Sequence, residues 1–315
     1  MWILWTILSL AAFVAIVTLT TAFVCFRLTF YAKRGNEKDA EEDPVPEGEI
    51  YEAFREQILC WIKETRALPR KSVEIRSYDG LRLTGFYYEY EKGAPIEILF
   101  HGYRGSSERD LSGGVTRCFS LGRSALIVDQ RAAGGSEGNV ISFGINESRD
   151  CVEWVKFVVN NIDKDAKIII TGISMGAATV LMASAMDLPE NVVGVLADCG
   201  YTSAREIIKK VMRDMHLPAN LFYPFVRLGA IIFGKFDPDS NSPIEAMNKT
   251  KLPVIFFHGD TDDFVPHSMS VENFEACGTE KKMVTINGAG HGLAFPVNKE
   301  KYLFEAGDFF KEILK

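Results

Sequence analysis

A serine between two glycines has the clearest chemical meaning of any pattern in this chain. Gly-Ile-Ser-Met-Gly occupies 172–176, after the β-branched run Lys167–Thr171 and before the Ala-, Leu- and Met-rich run Ala177–Met186. The first run predicts a buried strand and the second a helix. Glycines on either side of a strained turn allow the backbone to approach closely, and such a turn lifts the serine hydroxyl above the sheet. The context therefore predicts that Ser174 is a nucleophile rather than a chance match.

A serine hydroxyl attacks efficiently only when a base takes its proton, and a third group must fix the tautomer of that base. In a strand–turn–helix context, the acid and then the histidine follow the serine along the chain. His291 lies in Gly-Ala-Gly-His-Gly at 288–292, directly after the predicted strand Met283–Asn287. A histidine between glycines in a loop is hard to explain as a core residue, so we interpret His291 as the base.

The acid must be chosen from several aspartates. Asp262 follows the predicted strand Pro253–His258, in the segment HGDTDDFVP at 258–266. It is our prediction for the acid, because open α/β sheets place their active sites at the carboxyl ends of strands. Other aspartates remain open as alternatives, with a helix cap, a turn or a solvated charge as their ordinary roles: Asp260, Asp263 and Asp198.

A tetrahedral intermediate also needs two backbone N–H donors for its oxyanion. Met175, directly after the nucleophile, is predicted to supply one of them. The loop His101–Gly105 follows the predicted strand Ile96–Phe100, and Gly102 lets its backbone approach the substrate. We therefore predict the amide of Tyr103 as the second donor.

The predicted elements form an alternating pattern from Ile96 onward. Buried strands followed by helices indicate a mostly parallel, doubly wound sheet with right-handed crossovers. Before it, Ser72–Ser77 and Leu81–Tyr90 flank an Asp-Gly turn and predict an antiparallel hairpin, and Ile50–Ala67 predicts an amphipathic helix. The remaining predicted strands are Ala125–Asp129 and Val192–Ala197, and the remaining predicted helices cover about 109–121, 145–161, 268–277 and 298–314.

One connection is too long for a simple crossover. The segment between Ala197 and Pro253 is rich in aromatic residues, which predicts a helical cap over the active site at about 200–250. We expect its apolar side chains to line an acyl-binding pocket, with Phe222 and Phe225 as the candidate substrate-binding residues.

The N-terminal segment 2–26 contains no charged residue. At about 1.5 Å per residue it can span a bilayer, and it is apolar on every face, unlike a half-buried core helix. A signal peptide would need a basic n-region and a small-residue cleavage site, and neither is evident. Arg27, Lys33 and Arg34 follow the segment, so the positive-inside rule predicts a single-pass cell-membrane protein with a cytoplasmic catalytic domain.

The predicted domain organisation has three parts. Residues 1–34 form the membrane anchor and its basic flank, 35–48 a charged linker, and 49–315 the catalytic domain. Since all predicted sheet strands lie beyond residue 70, we expect removal of 1–34 to leave a soluble, folded and active domain.

Composition excludes several classes of function. The net charge is −7 with interspersed acidic and basic residues, which argues against a nucleic-acid partner. No metal-ligand cluster is evident among the five histidines, and neither a metal nor a cofactor is expected. The six cysteines are scattered without a C-x-x-C pair, a pattern typical of free thiols in a reducing compartment.

These motifs together resemble the α/β-hydrolase superfamily, and most closely its serine aminopeptidase-like and BEM46-like branch. The segments are HGYRGS at 101–106, DQRAAGGSEG at 129–138, GISMG at 172–176, HGDTDDFVP at 258–266 and GAGHG at 288–292. The resemblance implies the α/β-hydrolase fold, the triad Ser174, Asp262 and His291, and Tyr103 with Met175 as oxyanion donors. Ala132 stands where such proteins usually have a glycine.

The sequence therefore favours a membrane-anchored serine hydrolase that cleaves carboxylic esters, with a small-molecule or lipid-like acyl substrate. Its alternatives are an amidase or aminopeptidase of the same fold, and a non-catalytic binding protein. The last needs neither the triad nor the oxyanion loop, so their joint presence argues against it.

Overall fold

The computed structural model describes residues 1–33, 45 and 48–315 and is built around one eight-stranded sheet. Arg34 lies outside the described residues, and so does most of the predicted linker. The strand order is β1-β2-β4-β3-β5-β6-β7-β8. The strands are β1 (Lys71–Arg76), β2 (Arg82–Tyr88), β3 (Ile96–Phe100), β4 (Ser124–Val128), β5 (Ile168–Ile173), β6 (Val192–Asp198), β7 (Val254–Gly259) and β8 (Lys281–Ile286).

The strand directions confirm the predicted sheet. β1 and β2 form the antiparallel hairpin, β2 pairs antiparallel with β4, and every other neighbouring pair is parallel. Both faces of the central strands are buried, which explains their continuous apolar character. Ile98 faces a core that includes Trp154 and Val180, while the next residue, Leu99, faces the opposite side with Leu111.

Helices cover both faces of the sheet. The predicted helix at Ile50–Ala67 is divided by a turn at residues 53–54, and the predicted helix at 145–161 ends in a π turn. The helices are α1 (Trp2–Thr29), α2 (Glu49–Glu52), α3 (Arg55–Ala67), α4 (Ser107–Ser120), α5 (Glu147–Phe157), α6 (Met175–Ala183), α7 (Ala204–Asp214), α8 (Ala219–Gly229), α9 (Pro243–Met247), α10 (His267–Ala276), α11 (Ala294–Val297) and α12 (Lys299–Phe310), with π turns at Val158–Ile162 and Ala230–Gly234.

The long connection between β6 and β7 is helical, as predicted. It contains α7, α8, the second π turn and α9, and Ser203 caps α7 by accepting a hydrogen bond from the Glu206 amide. Buried residues of α7 and α8 belong to the same core cluster as the helix that follows Ser174. We call residues 204–247 the cap.

A buried ion cluster is centred on a glutamate of the sheet. Glu97 on β3 is fully buried and forms ion pairs with Arg117 and Arg123, and its carboxylate also accepts a hydrogen bond of 3.1 Å from Thr171. Burial alone would raise the pKa of Glu97, but the two guanidinium groups lower it to about 2. The carboxylate is therefore ionised throughout the neutral range.

The N-terminal helix is only partly separate from the domain. Residues 1–17 are exposed, and α1 is the described helix that is long and apolar enough to cross a membrane, by length and composition. The sequence predicted a boundary at residue 34, but the structure places Ala22, Phe26 and Phe30 in the buried core. The spacing of four puts all three on one face of the helix. Charge and hydropathy define the anchor but do not reveal this face.

Small residues allow α1 to pack closely on the cap. A Cβ atom on Gly229 of α8 would lie 2.3 Å from the carbonyl oxygen of Ala22, so only glycine is tolerated at this contact. Beyond α1 the chain pairs with the domain backbone, since the Ile141 amide donates to the Phe30 carbonyl at 2.8 Å. The ring of Phe30 packs edge-on against Phe143, with 5.6 Å between the ring centroids.

We therefore expect the two ends of α1 to tolerate deletion differently. Removal of 1–17 takes away only exposed residues, whereas removal of 1–34 also takes away Phe26 and Phe30. Burial of each phenylalanine contributes about 1.5–3 kcal/mol, so the longer deletion should lower the melting temperature by about 10 °C or more relative to the shorter one. Thermal unfolding of both proteins in the same mild detergent makes the comparison. Equal melting temperatures would show that α1 does not stabilise the domain.

The ion cluster gives a pH prediction. The folded pKa of Glu97 is below the ordinary value of about 4.3, so its stabilisation is present above that value and is lost as the pH falls toward 2. Glu97→Gln leaves two buried arginines without their counter-charge and should destabilise the protein by about 3–5 kcal/mol at pH 7. The deficit should shrink as the pH falls from about 4 to 2.

Glu74→Gln, on the exposed edge strand β1, is the matched control and should change stability by less than about 1 kcal/mol. Urea unfolding at several pH values measures both variants. A pH-independent deficit for Glu97→Gln would contradict an ionised Glu97.

Candidate active site

A strained turn joins β5 to α6 and carries Ser174. The residue has φ 56° and ψ −116°, a conformation that L-residues rarely adopt. A Cβ atom on Gly172 would lie 2.1 Å from the Gly176 carbonyl, and one on Gly176 would lie 2.0 Å from the Phe100 carbonyl oxygen. The two glycines are therefore required by contact between neighbouring backbones, and this contact places the serine side chain at the end of the sheet.

The structure brings Ser174, His291 and Asp262 into one hydrogen-bonded chain. His291 Nε2 lies 2.9 Å from Ser174 Oγ, and His291 Nδ1 lies 2.7 Å from Asp262 Oδ2. Because the carboxylate accepts, the proton belongs on Nδ1, which leaves Nε2 free to accept the serine proton. Ser174 and Asp262 are buried, and His291 is partly exposed.

Asp262 is held as a carboxylate by several donors. Its Oδ1 accepts from the amides of Phe264 at 3.0 Å and Val265 at 2.8 Å, while its Oδ2 faces His291 and His258. Burial alone would raise the pKa of Asp262, but the hydrogen bonds from His258 and His291 hold it well below its usual range.

The other candidate acids have different partners. Asp260 accepts from the Gly288 amide at 2.7 Å, Asp263 is exposed, and Asp198 accepts from the Tyr302 hydroxyl at 3.0 Å. Burial raises the pKa of Asp198 to about 6. Of the four aspartates, the structure places Asp262 next to His291.

His258 is a second histidine on the acid, and the sequence reasoning missed it. Its Nε2 lies 3.1 Å from Asp262 Oδ2 and 2.9 Å from the Val265 carbonyl, which can only accept, so Nε2 carries the proton. Its Nδ1 lies 2.7 Å from Ser270 Oγ, and the side chain is fully buried. His258 therefore orients the carboxylate that orients His291. The His-Gly pair at the end of β7 is the sequence feature that could have indicated this role.

His101 fixes the loop that follows β3. Its Nε2 accepts from the Gln130 amide at 3.0 Å, so its Nδ1 carries the proton and donates to the Gly102 carbonyl at 2.8 Å. In a planar trans peptide the Tyr103 N–H points away from the Gly102 carbonyl. The loop lies beside the nucleophile, since a Cβ atom on Gly102 would be 3.5 Å from the Ser174 Cβ.

The same loop binds the end of α1. The Tyr103 hydroxyl donates to the Thr29 carbonyl at 2.7 Å, and the Arg104 guanidinium donates to the Leu28 carbonyl at 3.0 Å. These carbonyls lie in the last turn of the helix, where no intrahelical donor remains. The Tyr103 ring also packs on Phe143, with 5.1 Å between centroids. Hydrogen bonds therefore join the N-terminal helix to the predicted oxyanion loop.

The segment 129–138 supports these loops rather than reaching the nucleophile. Asp129 accepts from the Ser107 amide at 2.9 Å, and Arg131 forms a buried ion pair with Asp150 in which both oxygens take part. Ala132, at the position of the usual glycine, has φ 64° and adopts the left-handed conformation despite its Cβ.

Two cavities meet at Ser174. The first, of about 480 Å³, extends between the sheet and α3 and includes Tyr51, Asp110 and Arg117 among its walls. The second, of about 730 Å³, lies between α1 and the cap. Phe222 lines the second cavity, whereas Phe225 is not among the described lining residues of either cavity.

A thiol completes the immediate surroundings of the triad. The donor atoms of Cys199, Asp262 and His291 lie within 4.8 Å of one another, a spacing that could hold a metal ion. However, burial raises the pKa of the Cys199 thiol well above its usual value, which keeps it protonated and a poor ligand. Asp262 and His291 are already hydrogen-bonded to each other, so these side chains fit a hydrogen-bonded triad better than a metal centre. All six cysteines are free.

Comparison with known proteins agrees with this geometry. Residues 142–315, more than half of the chain, match the model of the prolyl oligopeptidase family. The protein YqkD of Bacillus subtilis is 23% identical over 295 residues, covering 91% of this chain and 93% of its own. The protein bem46 of Schizosaccharomyces pombe is 25% identical over 217 residues, covering 67% of this chain and 66% of its own.

A solved structure shows the same fold. The esterase Pf2001 of Pyrococcus furiosus superposes with a TM-score of 0.65 at 22% identity, covering 80% of this chain and 94% of that one. The α/β-hydrolase fold and the BEM46-like resemblance predicted from the motifs are confirmed, and the chain belongs to the prolyl oligopeptidase family within the α/β-hydrolase superfamily.

Proposed function

We propose that this protein is a membrane-anchored serine hydrolase that cleaves carboxylic esters through an acyl-enzyme. The observation that carries the proposal is the hydrogen-bonded chain from Ser174 through His291 to Asp262, at 2.9 and 2.7 Å. A serine hydroxyl beside a histidine that can accept its proton, with an ionised acid to orient that histidine, is what nucleophilic catalysis by a triad needs, and a binding protein requires none of these.

The first half-reaction acylates the serine. Ser174 Oγ attacks the ester carbonyl while His291 Nε2 takes the hydroxyl proton, and Asp262 stabilises the imidazolium that results. The oxyanion is stabilised by the amides of Tyr103 and Met175, the latter at the N-terminus of α6 where amides lack helical partners. The tetrahedral intermediate collapses, the alkoxide leaves with the proton from His291, and the acyl group stays on Ser174.

The second half-reaction uses water in place of the alcohol. His291 takes a proton from the water that attacks the acyl-enzyme, and the same two amides stabilise the second oxyanion. Collapse expels Ser174 Oγ, which regains its proton from His291, and the carboxylic acid is released. The histidine acts as base and then acid in each half, so no proton is gained or lost by the triad.

Amide or peptide hydrolysis is the second candidate, and the prolyl oligopeptidase family match favours it. The same triad serves both reactions, since they differ in the leaving group. We place the ester first because the larger cavity at Ser174 has no charged side chain among its described lining residues, which suits an alkyl acyl group.

The membrane assignment rests on the exposed part of α1. Residues 2–17 of the helix are exposed, and α1 is long and apolar enough to cross a membrane. Arg27 and Lys33 at the domain end favour a cytoplasmic catalytic domain. Lipid-like esters are then the substrates that the enzyme meets at the highest local concentration.

An activity-based probe and a substrate panel test the proposal together. A small fluorophosphonate should label Ser174 in the folded protein and should not label Ser174→Ala, because the reagent requires an activated serine. Acyl p-nitrophenyl esters should then be cleaved with a higher kcat/KM than aminoacyl p-nitroanilides. A labelled protein that prefers the anilides would be a peptidase, and an unlabelled one would be no serine hydrolase.

The acid assignment gives a second prediction. Asp262→Asn should lower kcat by about 10⁴-fold, because an amide cannot stabilise the imidazolium and favours the wrong tautomer of His291. Asp263→Asn is the matched control, one residue away and exposed, and should retain nearly the kcat of the wild type. Circular dichroism verifies that both variants are folded. A greater loss for Asp263→Asn would overturn the assignment.

A further inference from the structure

The cavity between α1 and the cap has a membrane helix as one wall. We propose that this cavity binds the acyl chain of a membrane lipid ester, that residues 20–29 of α1 form part of the acyl site, and that the chain enters it sideways from the leaflet around α1. This inference rests on the proposed function, because it requires that Ser174 be acylated.

The lining of the cavity matches an alkyl chain. Ser174 and Tyr103 lie at one end, while Thr21, Val24 and Leu28 of α1 face Met212 and Phe222 of the cap. None of the described residues that line it is Asp, Glu, Lys, Arg or His. A volume of about 730 Å³ is ample for a ligand, since typical ligand pockets measure about 300–1,000 Å³.

The other cavity at Ser174 is more polar, with charged side chains as well as apolar ones in its walls. Its walls include Glu49, Asp110, Arg117 and Asp198. A polar alcohol can be solvated there, whereas an acyl chain finds mainly apolar partners and no charged side chain on the α1 side. The two cavities can therefore hold the two parts of an amphiphilic ester on different sides of Ser174. The acyl chain binds beside α1, and the polar group lies in the other cavity.

The length of α1 determines where the bilayer must lie. From Trp2 the helix has about 18 residues before it reaches the cavity at Thr20, or about 27 Å at 1.5 Å per residue. The hydrocarbon core is about 30 Å thick, and tilt makes the required length greater. With Trp2 and Trp5 at one membrane interface, where tryptophan is enriched, a helix that spans this core has Thr20 and Thr21 near the other boundary. The edge of the cavity and the edge of the hydrocarbon then coincide.

The surface near this level is apolar. Leu28 is 70% exposed, Met215 64% and Leu221 62%, and the first two line the cavity. Leu221 lies in the apolar stretch Ala219–Gly234, which packs beside α1. Exposure of these large apolar side chains to water is unfavourable, and contact with lipid explains why they lie on the surface. Leu28 and Met215 connect this apolar surface to the cavity that reaches Ser174.

Chain-length preference tests the α1 wall. In full-length enzyme reconstituted in nanodiscs, Thr21→Trp should fill the cavity and lower the ratio of kcat/KM for p-nitrophenyl dodecanoate over butyrate by about tenfold or more. Val14→Trp, on the exposed part of the same helix, should leave the ratio unchanged. Phe222→Ala enlarges the cavity and should raise the ratio, while Phe225→Ala should not.

Labelling by the small fluorophosphonate separates the outcomes. Absence of labelling in the wild type would refute the proposed function itself. If Thr21→Trp and Phe222→Ala are labelled normally yet keep the wild-type ratio, the acyl chain does not bind beside α1. If Thr21→Trp is not labelled, the ratio of Phe222→Ala relative to Phe225→Ala decides the point, since a cavity-enlarging change leaves the fold of α1 intact.

Access from the leaflet has its own test. A two-chain fluorogenic ester, which does not exchange between vesicles, is placed either in the proteoliposomes that contain the enzyme or in separate vesicles of the same composition. Hydrolysis should occur at least about tenfold faster in the shared bilayer. Equal rates in the two arrangements would show that the substrate reaches Ser174 through water, and would overturn lateral access.

Discussion

The backbone contact between Gly172 and Gly176 is the constraint on which the active site depends. With φ at 56°, Ser174 can turn the chain from β5 into α6 only if no Cβ separates the two elements. Gly176 also touches the Phe100 carbonyl, which fixes the end of β3 and the loop after it relative to the nucleophile. Two and three strands away from β5, the strands β7 and β8 end at the same edge of the sheet, and the loops after them carry Asp262 and His291. The parallel sheet thus brings residues far apart in sequence into a single hydrogen-bonded chain.

A second constraint connects the catalytic site to the N-terminal helix. The hydroxyl of Tyr103 and the guanidinium of Arg104 bind carbonyls at the end of α1, while His101 holds the peptide between Gly102 and Tyr103. The residue whose amide we assign to the oxyanion is therefore fixed from both sides. A helix that only crossed a membrane would need no such contacts, whereas the end of α1 packs as part of the folded domain.

Local patterns predicted the parts of this site that depend on local chemistry. The glycines around Ser174, the order of Asp262 and His291, and the alternation of strands and helices all follow from short-range rules of backbone geometry and hydropathy. The buried role of His258 could not be predicted, because it depends on where the Val265 carbonyl and Ser270 lie after folding. The docking of α1 was missed for a related reason: an apolar stretch looks the same whether lipid or protein covers one of its faces.

Direct observation of the covalent intermediate is the measurement that tests this account most directly. The reconstituted enzyme is mixed with p-nitrophenyl dodecanoate, quenched in acid within the first turnovers and digested for mass spectrometry. A dodecanoyl group on the peptide that contains Ser174, absent from Ser174→Ala, is the result that the account predicts. Turnover of the ester with no acyl group on Ser174, or with one on a different residue, would contradict it.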